Sequence, residues 1–169
     1  MKIADVLLLD YDAEIAKCRR VIELVPDDKA DWKPHEKSMP ISRLALHVAT
    51  LPRFGNVIMT RSAFDMADPA QALPPVKYLS TAHTLAELER NAAEARASLA
   101  AASDAYLEEK WKFSFGERVI GEMPRMDAWR HTFFNHMMHH RSQLLVYLRL
   151  LDIPLPALYG PSADDRMGF

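Results

Sequence analysis

The sequence predicts an all-α fold: a four-helix bundle with long connections and a short extended or hairpin segment before the last helix. Three observations carry this expectation. Four separate segments place apolar residues at alternating three- and four-residue steps, the period of a helix with one buried face. The chain of 169 residues has only five glycines. Ala, Leu, Met, Glu and Arg are plentiful and β-branched residues are scattered, a composition that favours helix over sheet.

The first segment, residues 2–25, carries Ala4, Leu8, Tyr11, Ile15, Cys18, Ile22 and Val25 on one stripe and ends at Pro26. The second, residues 41–64, carries Leu44, His47, Val48, Leu51, Phe54 and Ile58. Pro52 lies inside it, removes the hydrogen bond to the Val48 carbonyl and is expected to kink the helix. Residues 65–80, rich in Ala and Pro, read as a loop. Thr84 and Glu87 fit a capping box, opening a third helix through Leu85, Leu88, Ala92, Ala95, Leu99, Ala102 and Tyr106. Residues 111–123, "WKFSFGERVIGEM", read as extended with a turn near Gly116. The last helix starts near Pro124 and runs to Leu151 or Asp152, where Pro154 and Pro156 stop it. The turn-rich tail is expected to lie over the surface, with "GPSADD" as a structural turn. One domain over residues 1–169 suits this length.

Formal charge is 21 − 23 = −2, which gives no electrostatic reason for nucleic acid or an anionic membrane as partner. No apolar run reaches the roughly 18 residues of a membrane span. The N-terminus, "MKIADVLLLD", lacks the long apolar core and cleavage site of a signal peptide. Cys18 is the only cysteine and has no partner for an internal disulfide. A cytoplasmic protein is expected.

The chemistry-bearing residues are histidines where apolar residues are expected. The last helix reads as a stripe of Met126, Trp129, Phe133, His136, His140, Leu144, Tyr147 and Leu151. His136 and His140 are spaced i, i+4, so their Cβ atoms lie about 5–6 Å apart on one face, a spacing that lets two imidazoles share a metal ion. His139 points about 100° away, toward a flank. His47, between Leu44 and Leu51, is the histidine elsewhere in the chain that falls on a clear core stripe. Three neutral imidazoles meeting inside a helical core would make a three-histidine site with an open position, suited to zinc, nickel, iron or cobalt. Such a site keeps its positive charge and acidifies water or a thiol presented to it. Without partners, each buried imidazole would cost about 1–3 kcal/mol. The non-metal alternative is hydrogen bonding among the histidines, to buried water, or to Gln143 and Tyr147.

Two stretches resemble the DinB family of metalloenzymes: "HHRSQLLVYLRLLDIPLPALYGPSADD", and "DWKPHEKSMPISRLALHVATLPRF" with its histidine before a proline-containing kink. The resemblance spans nearly the whole chain and is weaker over residues 65–123. It implies a four-helix bundle, a homodimer, and a divalent metal held by one histidine from the second helix and two from the last. By position these are His47, His136 and His140, the trio that the stripes select. The family's H-x3-H-R-G-Q appears here with Ser142 for glycine, which is not a ligand position. The resemblance further implies nickel or zinc ahead of iron or cobalt. It also implies a low-molecular-weight thiol as cofactor, and a transferase or hydrolase acting on a small molecule.

Other motifs add limits. H-E-x-x-H is absent because Met137 follows His136, so no zincin-type glutamate base is built in. G-x-S-x-G, P-loop and G-x-G-x-x-G motifs are also absent. The opposing reading is a non-catalytic protein with a structural or sensing metal, in which a rotated His139 supplies a fourth ligand. Asn135 and Gln143 are placed to hydrogen-bond the ligands' other ring nitrogens. Arg141 and Arg149 read as solvated or salt-bridged side chains, with substrate-anion binding as the alternative. Trp32, Trp111 and Trp129 read as packing residues, Cys18 as a buried small hydrophobe, and His35, His83 and His131 as loop, helix-start or surface positions.

Overall fold

The structure, a computed structural model, describes residues 1–167; the last two residues of the expected tail lie outside the described residues. Helices α1 (Ile3–Ile22), α2 (Ile41–Thr60) and α3 (Thr81–Ala100) are followed by the short α4 (Asp104–Glu108). The last helical run comprises α5 (Arg125–Ala128), a π-helical stretch (Trp129–Phe134) and α6 (Asn135–Leu150) in direct succession. Strands β1 (Ala63–Asp65), β2 (Lys110–Phe115) and β3 (Arg118–Pro124) form a sheet in the order β1-β2-β3. The β1–β2 pair is parallel and the β2–β3 pair antiparallel. The all-α expectation is thereby corrected to a mostly helical fold with a small three-stranded sheet. Among the described residues, no helix is long and apolar enough to cross a membrane.

The expected hairpin is present, with Gly116 at φ +57°, a left-handed conformation that suits glycine. Its N–H donates to Asp65 Oδ1 at 2.8 Å, which ties the turn to the end of β1. The sequence reading passed over β1, extending α2 to residue 64. Phe64 explains the strand: it is buried, and its ring packs 5.4 Å from Phe54 and 6.2 Å from Phe113. Burial of a single aromatic side chain thus outweighs the weak local signal of three residues.

Helix α3 also differs from expectation. Its N-cap is Ser80, whose hydroxyl accepts the His83 N–H, so Thr84 and Glu87 lie inside the helix as buried residues. The helix ends at Ala100, and Ser103 caps the separate α4 that carries Tyr106. Helix α2 continues through Pro52 to Thr60 and is buried on most of its circumference, because α3 packs along it on one side and α6 on another. α1 packs on α3 and α6. The core joins Tyr11, Trp129, Phe133 and Phe134 in one aromatic cluster. Trp111 is buried as well, and Trp32 packs edge-on against Tyr147.

The π-helical stretch has the largest consequence. Its wider turn takes up an extra residue and advances the register of everything after it. Phe133 and Phe134 are both buried, and the core face of α6 becomes Met137, Arg141, Leu144 and Leu148. The stripe expected for an unbroken 3.6-residue period is therefore corrected by one position. His136 and His140 do not point into the core; they flank it, on the side facing α2.

The tail crosses the surface. Asp164 accepts the Leu155 N–H, Asp165 accepts the Ala157 N–H, and Arg20 donates to the Ala157 carbonyl at 3.0 Å. "GPSADD" is thus a turn whose carboxylates hold the backbone that precedes it.

Close approach of α2 to the π-helical stretch depends on Gly55. A Cβ at this position would lie 2.7 Å from two ring carbons of Phe133, itself fully buried. We expect Gly55→Val to destabilise the protein by about 1–3 kcal/mol through overpacking, read as a lower urea midpoint at unchanged slope.

Candidate metal centre

His47 projects from the middle of α2, and His136 and His140 from successive turns at the start of α6. Because α2 and α6 pack directly against each other, the three rings meet. Ring centroids lie 5.3 Å apart for His47–His136, 4.5 Å for His47–His140 and 4.6 Å for His136–His140. One nitrogen from each ring falls within 4.8 Å of the other two. The structure brings together all three histidines selected from the sequence, and no other metal-competent cluster occurs among the described residues. His139 is exposed on the outer side, its ring 5.0 Å from that of His140. His35, His83 and His131 lie away from the cluster, His83 in the first turn of α3.

The ring nitrogens test whether a cation fits. His140 Nδ1 lies 2.8 Å from Gln143 Oε1. In the tautomer that donates there, Nε2 carries a lone pair. That lone pair faces Nε2 of His136 at 2.7 Å. A hydrogen bond to the Thr132 backbone engages the His136 ring as well. Two lone pairs at this separation repel unless a proton or a metal cation lies between them. A proton is disfavoured. Burial, then the charges of His140, His136 and Arg43, pull the His47 pKa down to about 4. Burial also lowers His136, reinforced by His140 and His139 and opposed by Thr132. It lowers His140, where Gln143 opposes the shift. All three rings are therefore neutral at neutral pH, the form that ligates metal. The donor set fits a divalent cation, and Gln143 and Thr132 fix ring orientation as second partners of metal-binding histidines do. Of the two residues expected to play this part, Gln143 does; Asn135 is exposed and makes no side-chain hydrogen bond to the cluster.

Beside the cluster lies a cavity of about 390 Å³ with apolar walls that include Leu51, Phe54 and Phe113. A second, of about 300 Å³, opens past His47 toward Arg43. Apart from His47, His136, Leu51 and Phe54, the wall residues did not stand out in the sequence, because the loop and sheet that complete the walls have no periodic signal.

Behind the cluster, on the core side of α6, is a buried polar network. Arg141 is 1% exposed and pairs with Glu14 of α1. Tyr159 from the tail donates to the same carboxylate and accepts from Arg141. Lys17 completes the set at 2.6 Å from Glu14. Arg141 is thus salt-bridged, one of the two states expected for it, and the pair is buried where a surface position was expected. Arg149, by contrast, is the surface partner of Asp164. Two sequence features mark the buried pair: Glu14 borders the α1 stripe, three residues after Tyr11 and four before Cys18, and Arg141 directly follows a ligand-position histidine. Cys18 lies against this network, and burial pushes its thiol up to about 11, so it is a packing residue.

Fold and site together define a mostly helical protein with a three-histidine, metal-competent cluster between two packed helices. The chain belongs to the DinB family, whose model matches residues 4–166. Solved structures agree on the fold. A DinB-like protein from Bacillus subtilis is 16% identical over 95% of this chain and 98% of its own, with a TM-score of 0.66. A DinB-like protein from Bacillus cereus is 18% identical over 90% and 95%, with a TM-score of 0.65. A DinB family structure from Exiguobacterium sibiricum is 23% identical over 92% and 97%, also at 0.65. No protein with a curated description matches the sequence.

The Glu14–Arg141 pair gives a test of what supports α6. Burial raises the Glu14 carboxyl, but hydrogen bonds from Lys17, Tyr159 and Arg141 outweigh it and hold the group below its ordinary value of 4.5. A depressed folded pKa means that the unfolded chain takes up the proton first. The pair's contribution is therefore complete above about pH 4.5 and is lost as pH falls below that value and through the folded one. We expect Glu14→Leu to cost about 3–5 kcal/mol at pH 7 by leaving Arg141 buried and unpaired, and the gap from wild type to narrow below pH 4.5 in urea titrations.

Proposed function

We propose that His47, His136 and His140 bind one divalent metal ion, nickel or zinc ahead of iron or cobalt, and that the protein is a metal-dependent enzyme of thiol-transferase or hydrolase type acting on a small molecule. The observation that carries this reading is the meeting of three neutral imidazoles beside an open, apolar-walled cavity. A cation held there supplies Lewis acidity to a nucleophile and an electrophile placed next to it. The residues around it divide the remaining work. Neutral ligands leave the full positive charge in place. Gln143 holds the His140 ring in register. The walls formed by Leu51, Phe54 and Phe113 are apolar, which strengthens electrostatic contacts made against them. Among the described residues, neither cavity has an Asp or Glu in its wall. A nucleophile that ionises readily, such as a low-molecular-weight thiol, suits these walls better than one that needs a carboxylate base. That observation favours the transferase arm. We further propose that residues 1–169 form one domain acting in the cytoplasm as a homodimer.

The second reading is a structural or sensing metal. The ring of His139, 5.0 Å from that of His140, is the feature that favours it. The two readings part on His139→Ala, which retains metal if the fourth position is open and loses it if His139 fills that position.

The test is elemental analysis of tag-free protein, sized at the same time by light scattering. We expect close to one equivalent of metal per chain, at least a tenfold loss of affinity in His47→Ala and His140→Ala, a 10–100-fold loss in Gln143→Ala, and a particle of twice 19.2 kDa. Metal-dependent turnover is then sought with electrophiles plus low-molecular-weight thiols, beside ester and amide substrates. Failure to load any divalent metal would sink the reading.

A further inference from the structure

The two cavities beside the histidine cluster share one wall, formed by His47, Thr50, Arg53 and Leu73. From that wall they run toward different chemistry. The larger extends toward Phe54 and Phe113, and at about 390 Å³ it is of a size to take a small organic body. The smaller extends toward Arg43. Arg43 lies one helical turn before His47, at i, i+4, so both side chains rise on the same face of α2. Arg43 is exposed and forms no ion pair among the described residues. Arg53 gives one N–H to the Pro74 carbonyl at 2.8 Å, which holds the loop that walls the site, and it too has no carboxylate partner among the described residues. In a chain with more acidic than basic residues, two guanidinium groups that line one cavity and have no carboxylate partner among the described residues offer an anion a local site, since guanidinium forks match a carboxylate.

We infer that the ligand of this site is an amphipathic carboxylate: an aryl or alkyl body against Phe54 and Phe113, an anionic group on Arg43 with Arg53, and the segment between them passing His47. This builds on the metal-centre reading, which makes His47 the point where the reactive part of the ligand belongs. It names the ligand's two ends, which the histidines alone do not.

Calorimetry with 4-phenylbutyrate and its neutral amide tests the inference on metal-loaded and metal-stripped protein. We expect the carboxylate to bind at least tenfold tighter than the amide in both forms. Arg43→Gln should cut that preference at least fivefold while leaving metal content and amide affinity unchanged. Phe113→Ser should weaken both compounds alike. Equal affinity for acid and amide, no binding of either, or a preference that survives Arg43→Gln would overturn the inference. So would a preference that disappears with the metal, because the anion would then be held by the cation and not by the arginines. A chain that takes up no metal yet keeps an Arg43-dependent preference would refute the metal centre alone.

Discussion

The buried ion pair between Arg141 and Glu14 decides which way α6 faces. A guanidinium almost wholly removed from solvent needs a charged partner, and a carboxylate on the buried face of α1 supplies it, joined by Tyr159 and Lys17. With Arg141 committed to the core, the adjoining His140 and the preceding His136 turn to the neighbouring face of the helix, where α2 presents His47. The site therefore owes its geometry to a contact on the neighbouring, core-facing side of the helix that carries two of its three residues. The tail takes part as well, because Tyr159 closes the network from outside and the Asp164 and Asp165 turn holds the segment that leads to it.

The π-helical stretch makes this rotation compatible with a packed core. Without its extra residue, the apolar period running through Trp129 and Phe133 would carry His136 and His140 inward, and three imidazoles would be sealed among Leu and Val side chains. With it, Phe134 and Met137 fill the interior, and His136 lines a cavity together with His47. Such a turn is less stable than regular helix and tends to occur where a functional group must be re-aimed. Here aromatic packing among Tyr11, Trp129, Phe133 and Phe134 offsets that cost.

This also explains what could be read from the sequence. The i, i+4 spacing of His136 and His140 is a local property, and so is the position of His47 on an apolar segment; both survive folding, and the trio was legible. The rotation of α6 was not, because periodicity assumes a constant 3.6 residues per turn and one π-helical turn breaks that assumption. β1 was missed because three residues carry no period, and its existence depends on Phe64 packing with Phe54 and with Phe113, the latter distant in the chain. The start of α3 was misplaced because Thr84 and Glu87 satisfy the capping-box pattern as well as any pair, whereas Ser80 is chosen by where the preceding loop delivers the chain. Arg141 was legible only in part for a similar reason: a salt bridge is one of the states expected of it, but its burial depends on Glu14, which another helix supplies. The cavity walls, assembled from α2, the loop after it and the sheet, belong to no single segment.

X-ray absorption spectroscopy on the metal-loaded, tag-free protein tests the metal centre most directly, because it reads the ligand set itself. The account expects a first shell of nitrogen and oxygen scatterers with multiple-scattering features of three imidazoles, falling to two in His47→Ala. A sulfur scatterer, four imidazoles, or a spectrum unchanged by His47→Ala would contradict it.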